Sequence, residues 1–277
     1  MKSLCLALFV CAMLTQVQAA LVTKTISYRQ GDTELRGYLA YDDSVTSDKK
    51  VPGVVVFPEW WGLTDFVKGR ADALAKLGYV AFAADMYGNG VSVPPTDHDK
   101  ASELASAVAG KPIMGERAQA AYDQLVKTGL VDDSKVAAIG FCFGGACSQI
   151  LAYSGAPLKG IVSFHGALVP ASAEAAKKNQ AKFLILQGEL DPLVPEAART
   201  AFIKSMDEGK FDYQFVSYSG AVHTFMNPVA DKARAAGLNG VGYDPEVAPG
   251  RGRKCSCSLR KSLASPHKEH KTANGRE

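Results

Sequence analysis

Gly140-Phe141-Cys142-Phe143-Gly144-Gly145 is the stretch whose reading decides how this chain folds. It follows an apolar run, Lys135-Val136-Ala137-Ala138-Ile139, that reads as a buried strand, and precedes Ala146-Cys147-Ser148-Gln149-Ile150-Leu151-Ala152, which reads as a helix. A strand, a sharp turn and a helix with glycines flanking one nucleophilic side chain form a nucleophile elbow, with cysteine where serine is usual. The spacing has a steric cause. The nucleophile rides on a strained backbone, and side chains at the glycine positions would strike the strand or the helix. The sulfur then stands at a helix N-terminus, where the partial positive charge favours a thiolate. A glycine-rich turn around an inert, buried cysteine has the same local pattern, so the remaining chain must discriminate between the two.

Working outward, residues 22–28 and 33–41 alternate as an antiparallel hairpin around Gln30-Gly31-Asp32. Residues 53–57, Gly-Val-Val-Val-Phe, read as a buried parallel strand. Phe66, Val67, Ala71, Leu74 and Leu77 recur at helical spacing over 65–77, closed by Gly78. A strand over 79–86 follows, then helices over 101–108 and 117–125 bracketing Gly110-Lys111-Pro112. Beyond the elbow come strands over 160–164 and 183–187, a helix over 196–206 and a last strand over 211–218. This alternation predicts an α/β fold: a doubly wound, mainly parallel sheet with helices on both faces. Right-handed crossovers bring the strand C-termini, and the loops after them, to one edge.

Three segments divide the 277 residues. Residues 1–19 read as a signal peptide, with Lys2 as the basic start, an apolar core over 4–14 too short to span a bilayer, and Val17-Gln18-Ala19 as the cleavage site. Residues 20–247 form a single α/β domain, and 248–277 a basic, disordered tail. The expected location is periplasmic or secreted, without membrane insertion after cleavage. The formal charge of +3 is misleading, because the tail from Arg251 holds eight Lys/Arg against two Glu. With Lys2 also set aside, 22 basic and 26 acidic residues remain, so nucleic-acid binding is not expected. Signal removal leaves Cys142, Cys147, Cys255 and Cys257. Cys147 reads as a small core residue, and Cys255-Ser256-Cys257 is too close for an easy disulfide. An exported protein with an unpaired thiol implies some shielding of Cys142. His267-Lys268-Glu269-His270 lacks the order of a zinc motif, and neither metal nor cofactor is expected.

A thiol nucleophile needs a base. His98 sits in a polar segment and reads as a surface residue; His165 ends the strand after the elbow helix and either lines a pocket or packs in the core. His223 follows the last strand at the catalytic edge, and Asp191, before Pro192, follows the preceding strand. Nucleophile, acid and base therefore occur in the order Cys142, Asp191, His223, which is that of α/β-hydrolases. The loop Phe57-Pro58-Glu59-Trp60-Trp61-Gly62 supplies the backbone N–H of Trp60, beside that of Phe143, as the expected oxyanion hole. Glu59 either accepts the thiol proton or caps the following helix. Trp61, Tyr87 and Phe225, with Trp60 and Phe143, are expected to wall a mostly apolar substrate pocket, although plain core packing explains aromatics equally well.

Over residues 21–244 the chain resembles the dienelactone hydrolase family of α/β-hydrolases. The likeness rests on Pro58-Glu59-Trp60-Trp61-Gly62, Gly78-Tyr79, Asp85-Met86-Tyr87-Gly88, the cysteine elbow, Gly188-Glu189-Leu190-Asp191-Pro192 and His223-Thr224-Phe225. It implies an α/β-hydrolase fold and hydrolysis of a small lactone or ester through a thioester, without metal or cofactor; the chain itself is expected to act as a monomer. It also implies that Glu59 holds the thiol proton in the resting enzyme. Two departures stand out. The family's substrate-carboxylate arginines are missing, since Gly88 and Asn89 follow Tyr87 while Met226 and Asn227 follow Phe225; Arg70 and Arg117 are the remaining candidates. The closing amphipathic helix of the family is also missing from the tail. A general carboxylesterase or thioesterase, and a non-catalytic binding or thiol-redox protein on the same fold, stay open as alternatives.

Overall fold

The computed structural model describes residues 20–248. The signal expected over 1–19, and all but the first residue of the tail expected over 248–277, lie outside the described residues. The hairpin forms as β1 (Leu21–Gln30) and β2 (Thr33–Asp42), turning at Gly31 and Asp32. The chain continues as β3 (Val51–Phe57), α1 (Asp65–Ala75), β4 (Val80–Ala83), α2 (His98–Val108) and α3 (Pro112–Lys127). Then come β5 (Val131–Phe141), α4 (Phe143–Tyr153), β6 (Leu158–Phe164), α5 (Ala173–Lys178), β7 (Lys182–Gly188), α6 (Glu196–Glu208), β8 (Tyr213–Tyr218) and α7 (Ala230–Ala235).

The eight strands form one sheet in the order β1-β2-β4-β3-β5-β6-β7-β8. Pairings from β4 to β8 are parallel, and only those of the hairpin and its junction with β4 are antiparallel. Both faces are covered. Val55 and Phe57 of β3 pack with Met114, Leu125 and Leu151 of α3 and α4 on one side, while Val54 and Val56 pack with Val67, Ala71 and Leu74 of α1 on the other. This two-sided burial is why the central strands read as unbroken apolar runs. The hydrolase-type α/β architecture expected from the sequence is the one observed.

Differences from the sequence reading have local causes. Helix α3 starts at Pro112 rather than near residue 117, because proline is pre-set for the first helical turn, where its missing N–H is no loss. Strand β4 stops at Ala83, short of 86, because Asp85 turns the chain. Its buried carboxylate accepts from Tyr87 and Gly88 N–H on Oδ1, and from Arg36 and Gly90 N–H on Oδ2, all within 2.9 Å. The Tyr28 hydroxyl meets the Asp85 backbone at 3.1 Å. Helices α5 and α7, six residues each, were not anticipated.

Asp85 thus fixes the loop that carries Tyr87 to the sheet edge. Asp85→Ala strands four backbone donors in a dry interior, and a loss of roughly 3 kcal/mol in unfolding free energy is expected. Chemical denaturation measures it. A change below about 0.5 kcal/mol would contradict this account of the loop.

Candidate active site

Cys142 occupies the N-cap of α4 with φ 53° and ψ −116°, a left-handed conformation that costs on the order of 1–3 kcal/mol outside glycine. It is held by Cys142 N–H donating to the Phe164 carbonyl (3.0 Å) and by Gly145 N–H donating to the Cys142 carbonyl (2.9 Å). The flanking glycines are steric necessities. A Cβ at Gly140 would lie 1.8 Å from the Gly144 carbonyl oxygen, and one at Gly144 would lie 2.4 Å from that of Phe57. Phe143 opens α4, so its N–H is one of the first-turn amides with no intrahelical carbonyl. Trp60, on the loop after β3, contributes its carbonyl to the Tyr87 hydroxyl (2.9 Å).

The loops that carry Asp191 and His223 are knit together at the same edge. Glu189 N–H donates to Tyr218 and Leu190 N–H to Ala221, each at 2.9 Å. His223 N–H donates to the Gly240 carbonyl, and Gly242 N–H to that of His223. Gly240, at φ 77°, would drive a Cβ to 2.3 Å from the Pro192 ring, so the segment bracing His223 also rests on the residue after Asp191. Buried His223 Nδ1 and Asp191 Oδ2 lie 2.7 Å apart, and this pairing makes Nδ1 the protonated nitrogen. The same Oδ2 accepts from Gln187 Nε2 at 2.6 Å, while Oδ1 accepts from Leu193 N–H at 2.9 Å.

Burial works against a charge on His223, yet the charge interaction with Cys142 and the Asp191 hydrogen bond outweigh it and push the imidazole up to about 10. Nε2 has no hydrogen-bond partner of ordinary geometry among the described residues, and Cys142 acts on the ring first through its charge and then through a looser side-chain contact. The second edge histidine, His165, is fully buried at φ 40°, ring edge against His223 (centroids 5.3 Å) and Phe225 (5.0 Å). Burial first, then the His223 cation, holds its imidazole well below the usual range, hence neutral.

Glu59 is buried at the start of the loop after β3, with Oε2 accepting from Asn227 Nδ2 and Oε1 unpaired. Desolvation raises its carboxyl to about 7, against the lowering influence of Asn227, His223 and Arg70. No helix-capping bond from Glu59 is present among the described residues; the N-cap of α1 is Thr64. Tyr87 lies over Phe143 (5.8 Å) and close enough to Cys142 for the two to interact electrostatically. Trp61 and Phe225 are turned into the core, Trp61 beside Val93, Ala101 and Val241, and Phe225 against His165 and Tyr218. Half-buried His98, expected on the open surface, opens α2, stacks on Trp60 (6.5 Å) and meets the Pro95 carbonyl at 3.0 Å. Buried Arg117 is spent on the Met86 carbonyl at 2.7 Å, and half-buried Arg70 lies over the Phe66 ring near Glu59. Cys147 is wholly buried, and burial raises its thiol far above the ordinary value. Gln187 and Asn227, the amides that hold the two carboxylates, escaped sequence reasoning because nothing local marks them.

Comparison with known proteins fits this geometry. A sequence model of the dienelactone hydrolase family matches residues 35–249. The chain belongs to the dienelactone hydrolase family. Its relatives include a protein from Saccharolobus solfataricus named as a carboxymethylenebutenolidase, 27% identical and covering 86% of this chain and 98% of its own. A crystal structure of a dienelactone hydrolase-like promiscuous phosphotriesterase from metagenomic libraries is 39% identical, covers 88% of this chain and 99% of its own, and superposes with a TM-score of 0.79. An α/β-hydrolase from a deep-sea metagenome shares the fold at 18% identity, with 90% and 100% coverage and a TM-score of 0.62. The protein is a dienelactone-hydrolase-like ester hydrolase. Among the described residues no group of His, Cys, Asp or Glu could hold a metal, and no helix is long and apolar enough to cross a membrane.

The raised Glu59 carboxyl has a consequence for stability. A folded value of about 7 against an ordinary 4.5 means that the stability linked to protonated Glu59 is complete below pH 4.5 and is lost as pH rises through 7. Glu59→Gln carries no such loss. Its unfolding free energy relative to the parent should therefore improve between pH 4.5 and 8, by on the order of a few kcal/mol. Parallel denaturation curves across that range that keep a constant gap would refute the shifted carboxyl.

Proposed function

We propose that this dienelactone-hydrolase family member cleaves an uncharged ester or lactone through a thioester on Cys142, in a Cys142–His223–Asp191 triad. The observation that carries the reading is the conjunction of a left-handed Cys142 at the N-cap of α4 with a His223–Asp191 pair whose free Nε2 is coupled to that sulfur. The thiolate adds to the carbonyl carbon, and the oxyanion is received by the N–H groups of Phe143 and Trp60. The C–O bond then breaks and the imidazolium proton passes to the leaving alkoxide.

Acylation changes the electrostatics in a useful direction. The strongest influence raising His223 is the negative sulfur, and a thioester has none. The imidazole therefore becomes a weaker acid-holder once the alcohol has left, and is ready to take a proton from water. Hydroxide attack on the thioester releases the carboxylic acid and regenerates the sulfur anion beside the imidazolium. Glu59, with one carboxylate oxygen unpaired and its carboxyl near neutrality, is suited to hold the thiol proton in the resting enzyme.

The missing arginines support uncharged substrates: the nearby Arg117 is committed to a backbone carbonyl. The 39% identity to a promiscuous phosphotriesterase supports a second, minor activity on neutral phosphate triesters, with the same sulfur adding to phosphorus.

Rapid mixing with a chromogenic short-chain ester, followed by acid quench and mass spectrometry, tests the scheme. An initial burst and an acyl mass on the peptide containing Cys142 are expected, and Cys142→Ala should lose at least about 10³-fold in kcat/KM. A neutral chromogenic phosphate triester run in parallel should show slower turnover that Cys142→Ala also abolishes. Full ester turnover by Cys142→Ala would end the proposal. Reversible Cys142 oxidation without ester turnover would favour a thiol-redox protein.

A further inference from the structure

We propose that Gln187 is a positioning residue of the triad, whose side-chain amide clamps Asp191 and tempers the pull of that carboxylate on His223. The inference rests on the reading of Cys142, His223 and Asp191 given above. Gln187 is the penultimate residue of β7 and is fully buried, on the same sheet face as Phe183 and Ile185. Its Nε2 donates to Asp191 Oδ2 at 2.6 Å, the very oxygen that faces His223 Nδ1 at 2.7 Å. The orientation of the amide is not ambiguous, since an ionised carboxylate can only accept and the opposite flip would set oxygen against oxygen.

The other end of the amide makes the assignment specific. Gln187 Oε1 is buried and finds no hydrogen-bond partner among the described residues. A buried acceptor without a partner costs stability, so packing alone gives no reason for glutamine where an aliphatic side chain would fill the same space. What glutamine adds is a neutral donor to Asp191 Oδ2. With Leu193 N–H on Oδ1, it fixes the carboxylate plane. It also shares the oxygen that His223 uses, which limits how strongly the imidazolium is held. The groups that face His223 are Asp191 from the loop after β7, Cys142 from the elbow, His165 from the loop after β6 and Glu59 from the loop after β3. Gln187 supplies a non-titrating influence among these four titratable ones, and it acts through Asp191 rather than on substrate.

Gln187→Met keeps length and volume and removes the donor. Without it the Asp191 charge falls more fully on His223, the imidazolium is stabilised, and the base needed to hydrolyse the thioester is uncovered only at higher pH. The acidic limb of the kcat–pH profile should move up by roughly half to one pH unit. At neutral pH kcat should fall by up to about 3- to 10-fold with little change in KM, while the thermal midpoint stays level or rises. Gln187→Leu serves as a second variant should the methionine fail to fold. A Cys142 acyl adduct in the parent with kcat and the limb unmoved in the variant would overturn this inference alone. Lost activity with a lower midpoint and an unmoved limb would overturn it too, marking a structural role. Absence of any Cys142 adduct in the parent would remove the triad reading and this inference together.

Discussion

The constraint on which the rest depends is the close approach of backbone to backbone at the elbow. Gly140 and Gly144 are in contact across the turn, and Gly144 also rests on the end of β3, where a Cβ would meet the carbonyl oxygens of Phe57 and Pro58. These approaches press the first turn of α4 against the start of the loop holding Glu59 and Trp60. Cys142, the first-turn amides of α4 and the Glu59–Trp60 loop are thereby joined by contacts that no side chain can enter. Cys142 pays for this with a left-handed backbone, and the strain persists because its neighbours on β6 and α4 bind both its N–H and its carbonyl.

Asp191 and His223 are held by a different device. Their loops follow neighbouring parallel strands, β7 and β8, so the pairing that ends at Gly188 and Tyr218 continues as loop-to-loop hydrogen bonds. The segment around Gly240 then seats on Pro192 and bridges to His223, so a chain stretch distant in sequence closes the ring. Cys142, Asp191 and His223 are therefore brought to one edge by one strained turn and one laced pair of loops, with the sheet fixing the distance between them.

Much of this was legible in the residues. The elbow is a local steric pattern. The central strands are apolar on both faces, and His223 and Asp191 stand just past predicted strand ends, so chain order alone placed them on one edge. What escaped was long-range or too short to leave a period. Asn227 meets Glu59 across 168 positions, and Gln187 looks like any strand-end polar residue until its partner is seen. Helices α5 and α7 have too few residues for periodicity to distinguish them from loops. His98 is polar in its neighbours but docks on Trp60, and Arg117 turns inward to a carbonyl, so composition misjudged one and could not assign the other. The wider aromatic set divided as side-chain direction dictates: Trp60 and Tyr87 at the edge are half-buried, while Trp61 and Phe225 are in the core.

The electrostatics of the site follow from what those hidden partners are. Two carboxylates are buried beside a histidine and a thiol, and each accepts from a carboxamide, Glu59 from Asn227 and Asp191 from Gln187, with no Lys or Arg bonded to either among the described residues. A guanidinium at either place would pin its carboxylate as an anion and satisfy it completely. An amide leaves it responsive. Glu59 keeps a bare oxygen and a carboxyl near neutrality, and Asp191 divides one oxygen between a fixed donor and a ring that gains and loses its proton. His165 carries the same logic to the other side of His223, where a neutral ring packs edge-on without competing for the proton. The cation of the site is His223 itself, favoured by Cys142 and Asp191 against the cost of burial.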